Sequence, residues 1–219
     1  MKKVLVLLAV LAMTLGANAK SNKLAGEDYN RVEIGYTPMF ASVGRRWDAP
    51  STTLHGFQAG YVRGIHLSKK WPMYIEAGAN LQFNRRTVEE AVYTPTRGFI
   101  YSEYPITMLR LNIPVSFTWR FHVGNKKQLA IAPYAGLNFG INLVYKQDGD
   151  NMFEDGILPG YSANRFQMGM VEGVNFTYKC WNAGIGYIYD FMALDEFDTP
   201  SSSVTNYTGS LVIKFGYEF

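Results

Sequence analysis

The chain has 219 residues, with 21 Lys and Arg against 18 Asp and Glu, one cysteine, and a rich aromatic complement of 14 Phe, 15 Tyr and 4 Trp. So even a charge balance excludes the concentrated basic surface that nucleic-acid phosphates call for, and a single cysteine excludes an internal disulfide framework or a cysteine-rich metal site. After the first 19 residues no apolar run reaches the length of a transmembrane helix, so any passage through a membrane is made by strands.

In chain order, "MKKVLVLLAVLAMTLGANAK" joins two lysines to an apolar run from Val4 to Leu15 and to small residues ending in Ala17-Asn18-Ala19. That is the layout of a secretory signal peptide over residues 1–19, with an A-x-A cleavage site. Its apolar run is too short for a membrane anchor. Removing it leaves 19 basic against 18 acidic residues, and one domain over 20–219.

Period-two alternation then recurs, the signature of a strand with one apolar and one polar face. "RVEIGYTPMF" sets Val32, Ile34, Tyr36 and Phe40 against Arg31, Glu33, Gly35 and Thr37. "HGFQAGYVRGI" sets Phe57, Ala59 and Tyr61 against Gln58, Gly60 and Val62, and "PMYIEAGANLQFN" sets Met73, Ile75, Ala77, Ala79, Leu81 and Phe83 against Glu76, Asn80 and Gln82. In "MLRLNIPVSFTWRF", Leu109, Leu111, Ile113, Val115, Phe117, Trp119 and Phe121 oppose Arg110, Asn112, Pro114, Ser116, Thr118 and Arg120. "LAIAPYAGLNFGINLV" and "WNAGIGYIYDF" repeat the pattern, the latter with Asp190 on the polar side. "FQMGMVEGVNFTY" is read with a bulge near Glu172 that turns this carboxylate inward. Pro114 and Pro133 each remove a ladder hydrogen bond and are read as bulges or kinks. "YTGSLVIKFGYEF" alternates Tyr207, Leu211, Ile213, Phe215, Tyr217 and Phe219 with Thr208, Ser210, Val212, Lys214 and Glu218, and makes the eighth strand.

Short polar turns around "HLSKKW", "HVGNKKQ" and "KC" alternate with four long links: Ala41 to Leu54, Arg85 to Tyr104, Tyr145 to Arg165, and Met192 to Asn206. Tight turns at one end and long loops at the other are the layout of an outer-membrane barrel with its turns in the periplasm. A soluble barrel would carry its apolar face inward. The aromatics decide between them. Trp71, Phe117, Trp119, Phe121, Tyr178, Trp181, Phe215, Tyr217 and Phe219 gather at the turn end, and Phe40, Phe83, Phe166, Phe191 and Tyr207 at the other. Sorting by height is what lipid headgroup boundaries select. The expected fold is all-β, an eight-stranded antiparallel up-and-down transmembrane β-barrel.

Eight strands enclose an interior only wide enough for side chains to fill. The inward positions include Arg31, Glu33, Glu76, Arg110, Arg120, Asp190, Lys214 and Glu218, whose balanced signs predict a lumen charge network that closes the barrel.

"LRLNIPVSFTWRF", "YAGLNFG", "VEGVNFTYKCWNAGIGYIYDF" and "VIKFGYEF" resemble strands of the small PorT-like, porin-family outer-membrane β-barrel domain. The resemblance implies insertion by the barrel-assembly machinery, with Ile213, Phe215, Tyr217 and Phe219 as the positions matching its C-terminal signal. It implies no particular activity.

No cofactor, metal or catalytic site is read. His66 and His122 fall in short turns, and His55, near Ser51, Thr52 and Thr53, lacks an orienting acid or nucleophile motif. "KQDGDNMFEDG" carries Asp148, Asp150, Glu154 and Asp155 but has Phe153 where a calcium loop needs its glycine. Asn175 and Asn206 begin glycosylation sequons, the first within a strand, and Cys180 is a lone thiol. The expected protein sits in the cell outer membrane against lipid. It has a structural, surface-recognition or envelope-accessory role through four outer loops and a ligand the sequence does not name. The alternatives are a narrow diffusion pore and, further off, a lipid-modifying enzyme.

Overall fold

The computed structural model describes residues 27–43, 51–68, 71–94, 98–123, 128–154, 160–199 and 202–219; the side chains of 42–43, 51–52, 89–94, 98–102, 199 and 202 are not among them. Residues 1–19, read as a signal peptide, lie outside the described residues.

Thirteen strands follow in chain order: β1 (Tyr29–Tyr36), β2 (Met39–Val43), β3 (Ser51–His66), β4 (Met73–Thr94), β5 (Gly98–Trp119), β6 (Phe121–Val123), β7 (Leu129–Gln147), β8 (Asp150–Asn151), β9 (Tyr161–Ala163), β10 (Phe166–Tyr178), β11 (Trp181–Asp190), β12 (Asp195–Thr199) and β13 (Ser202–Glu218). Eight of them pair antiparallel with their chain neighbours in the order β1-β3-β4-β5-β7-β10-β11-β13, and β13 returns to β1. The ring closes through Arg31 opposite Glu218, Ile34 opposite Phe215 and Tyr36 opposite Ile213. Asn30 and Phe219 exchange both backbone hydrogen bonds, at 2.9 and 2.8 Å. A closed up-and-down barrel leaves no edge strand, which is the condition for crossing hydrocarbon with strands.

The faces are the reverse of a soluble barrel's. Ile34, Leu81, Val115, Leu137, Ile185 and Ile213 point outward and are exposed, Ile34 at 63 %, whereas Arg31, Gln82, Asn112, Asn138 and Asp190 are buried within. At the turn end the outward aromatics touch: Phe117 and Trp119 are edge-on at 5.2 Å, and Trp181 lies 5.3 Å from Phe215 and 5.2 Å from Tyr217. Toward the other end Phe57, Phe83, Phe166 and Phe191 are exposed.

The reading of the sixth ring strand is corrected, and that of the two prolines in part: the pairing is interrupted at each, with no bulge. The β10 register runs unbroken from Phe166 to Tyr178 against β7, with Glu172 opposite Ala135, so there is no bulge and Glu172 faces outward among apolar residues. A lipid-facing carboxylate in mid-strand is costly, which is the reason to expect it in the lumen. Here the run Met168, Met170, Val174, Phe176 shares its face and fixes its side. Neither proline shifts a register. Pairing with β4 lapses around Pro114 and resumes in step, and Pro133 falls where β5 gives way to β6 along β7. The register shift lies instead between Leu109 and Arg110 of β5, against Val144 and Asn142, so the extra residue is Leu143 in β7.

The long links are also not plain loops. β4 and β5 stay paired as far as Thr94 and Gly98. At about 3.3 Å per residue such a 22-residue strand runs roughly 70 Å, about twice what a transmembrane strand of 9–11 residues needs. β12 pairs with β13 and β9, and β2 lies between β3 and β13. β7 turns into β8 through Asp148 (φ 52°) and Gly149 (φ 91°), two positive-φ residues that suit a tight hairpin.

Candidate functional site

The inward side of every ring strand converges on one lumen, and its contents fall into four groups. Nearest the turn end, Arg31 of β1 is 1 % exposed and meets three carboxylates: Glu76 at 2.8 Å, Glu33 at 3.1 Å and Glu218 at 3.4 Å. Arg120 bonds Glu218 at 2.6 Å, and Lys214 approaches Glu33 at 3.4 Å. Three cations and three carboxylates thus neutralise one another, as buried charges must. The Tyr29 hydroxyl donates to Glu76, and Arg120 lies over the Tyr29 ring at 4.8 Å. Thr177 adds a hydrogen bond to Glu218 at 3.3 Å.

The middle level pairs an apolar group, Tyr134, Val171, Ile188 and Val212, with a ladder of amides. Asn138 donates to Asn112 at 3.1 Å, Asn112 to Gln82 at 2.7 Å, and Gln82 to Asn84 at 2.8 Å. A cavity of about 30 Å³ lies between this level and the charges, lined in part by Glu76, Asn80, Asn138 and Lys214. That is room enough for ordered water.

Arg110 and Asp190 form a separate, bidentate pair, both contacts at 2.7 Å, toward the loop end. Thr208 donates to the same carboxylate at 2.5 Å. Gly140 of β7, opposite Asn112, has the Arg110 guanidinium where a β-carbon would stand. Hence the eight inward charges read from the sequence all lie inside, but in two groups rather than one network.

Above them is an apolar plug that the sequence reading missed. Met39, Leu54, Met108, Tyr145, Met152 and Leu194 are buried together, with Ile106, Phe153, Tyr161 and Ala163 packed against them. Its signal was a change of inward residues from polar to Met and Leu at the loop end of several strands. Asp195 of β12 ties the plug to its cover. It accepts from Tyr145 at 2.9 Å, Tyr161 at 3.1 Å and Asn206 at 2.6 Å. Burial and the adjoining Asp195 carboxylate push the Tyr161 hydroxyl up, so it remains a donor.

The other candidates are dispersed. His55 faces outward at the loop end with Nδ1 2.5 Å from the Tyr36 hydroxyl. His66 contacts the Trp71 carbonyl at 3.2 Å in the first short turn. Asp148 and Asp150 flank the β7–β8 turn and Asp155 lies outside the described residues; among those described, no group of three metal-ligating side chains occurs. Asn175 is buried in the lumen and Asn206 is engaged with Asp195. Ile213, Phe215, Tyr217 and Phe219 lie along β13 and its end, Ile213 and Phe215 exposed outward.

No family model matches the sequence and no curated protein does, so the PorT-like resemblance rests on its strand motifs. Among solved structures the chain is similar to Ail, the attachment invasion locus protein of Yersinia pestis, in complex with the heparin analogue sucrose octasulfate. That match has 13 % identity over 88 % of this chain and 99 % of the other, with a TM-score of 0.49. It is similar also to OprG of Pseudomonas aeruginosa (14 %, 90 % and 99 %, 0.44). A third is Neisserial surface protein A (12 %, 88 % and 97 %, 0.44). Likenesses at this level carry no inference about activity.

Proposed function

We propose that the chain is an integral protein of a Gram-negative outer membrane, without catalytic activity, whose working surface is the β-structured loop end. The observation that carries this reading is the contrast between the barrel's two parts. The described interior, from the charge cluster to the Met and Leu plug, is occupied by paired charges, amides and apolar side chains around one small cavity, which supports a lumen closed to solutes. Beyond the plug, β2, β8, β9, β12 and the extended β4–β5 hairpin build an ordered platform. A surface-recognition or envelope-accessory role uses such a platform, and a diffusion pore does not need it.

The apolar exterior between two aromatic belts supports the membrane location, because lipid is the solvent that rewards it. The porin-like alternative requires the plug and both ion-pair groups to part. An enzyme acting on lipid would centre on His55, whose described partner is the Tyr36 hydroxyl rather than an orienting acid.

The location and orientation are tested by thiol labelling of intact cells with a membrane-impermeant maleimide. In a Cys180→Ser background, Asp150→Cys in the β7–β8 turn is expected to label from outside. The natural Cys180, at the opposite end between β10 and β11, is expected to label only after the envelope is opened. Labelling of Cys180 but not of position 150 in intact cells would reverse the orientation, and absence from the outer-membrane fraction would end the proposal.

A further inference from the structure

At the loop-end margin of the apolar exterior the pairing registers align a polar row across four neighbouring strands. His55 of β3 stands opposite Arg85 of β4, Arg85 opposite Thr107 of β5, and Thr107 opposite Lys146 of β7. His55, Arg85 and Lys146 are exposed. With strands about 4.8 Å apart, the row spans roughly 14 Å. One pleat nearer the barrel's middle, about 7 Å down, the same four strands present Phe57, Phe83, Leu109 and Val144 in matching register. Cations thus stand directly above an aromatic and aliphatic shelf, on the outward face.

From this we infer that the row binds the phosphate groups of an anionic lipid of the outer leaflet whose acyl chains lie along the shelf. The inference rests on the outer-membrane reading above. Both halves of such a ligand are matched. Arg85 offers a planar fork for a phosphate and Lys146 a point charge, while Thr107 between them is a further donor. The Tyr36 hydroxyl, 2.5 Å from His55 Nδ1, steadies the ring at the row's edge. Asp148 and Glu103 stand farther out along β7 and β5, beyond Lys146 and Thr107, away from the shelf. The opposite end differs: there the outward Arg63 is already matched by Asp28 at 3.6 Å.

The test uses the purified, folded full-length barrel in detergent, titrated with a bisphosphorylated glycolipid (lipid A), with the same lipid enzymatically dephosphorylated, and with inorganic phosphate. The phosphorylated lipid is expected to bind at least about tenfold more tightly than the dephosphorylated one, the scale of two surface cations against an anionic headgroup. Arg85→Gln with Lys146→Gln should abolish that difference, and Arg63→Gln should leave it. Equal affinity for the two lipids, or a difference that survives the double substitution, overturns the inference. Complete displacement by millimolar inorganic phosphate overturns the part assigned to acyl chains. Each variant is first checked for the heat-modifiable shift of a folded barrel. A wild-type protein that is folded and outer-membrane-located yet shows no phosphate preference contradicts the lipid site alone, whereas one absent from that membrane contradicts the reading beneath it.

Discussion

At Arg110 the guanidinium meets both oxygens of Asp190, each residue is 1 % exposed, and Gly140 leaves room for the contact. A pair so buried is costly to break and cheap to replace. Arg110→Leu alone should destabilise the barrel by about 3–5 kcal/mol because Asp190 loses its counter-ion. Adding Asp190→Leu should restore stability to within about 2 kcal/mol of wild type. Urea titration of the single and double variants in lipid vesicles measures this, and additive losses would contradict it. Glu172 is the opposite case, an exposed carboxylate between Met170 and Val174 on the outward face. Glu172→Leu should stabilise the barrel by about 1–2 kcal/mol, less than the 2–4 kcal/mol for a midplane Arg or Lys; a destabilised variant would mean that Glu172 has a partner in the membrane. Parity alone gave each of the eight lumen charges its side. Parity places Glu172 outward as well, and its charge is the misleading signal.

Among the elements, β13 and β12 bear the most weight. β13 closes the ring, and Phe219 holds Asn30 by both backbone bonds. Phe219→Asp should leave the chain unassembled and degraded, because a carboxylate in place of the aromatic ring at the girdle opposes insertion into lipid. Normal amounts of a heat-modifiable variant in the outer membrane would refute this. β12 holds the platform through Asp195, and Asp195→Ala removes the acceptor that Tyr145, Tyr161 and Asn206 share, at about 1–3 kcal/mol for the buried Tyr145 end of the cluster. The expected result is faster proteolytic nicking near residues 155–165 with an intact barrel, seen as two fragments that still migrate together unheated. The ring strands were legible because lipid imposes a strict period of two. The outer extensions were not, because the residues of β9 and β12 read as polar loops whose pairing depends on contacts far along the chain. The register shift left one trace, the consecutive apolar pair Leu143 and Val144, where alternation stops.

For the whole molecule, period-two alternation, the turn and loop layout and the sorting of aromatics by height point to a membrane barrel, and the closed β1–β13 seam with its polar interior agrees. What the sequence hid is the plug, because Met39, Leu54, Met108, Met152 and Leu194 come from five separate segments and meet only in three dimensions. Charges below and Met and Leu above make the lumen a filled core, and the β platform beyond it becomes the part that can act. The central claim is therefore that solutes and ions do not cross, and single-channel recording of the purified barrel in planar bilayers tests it most directly. The account predicts no stable conductance across a range of salt concentrations and voltages; steady, salt-dependent steps of uniform size would contradict it.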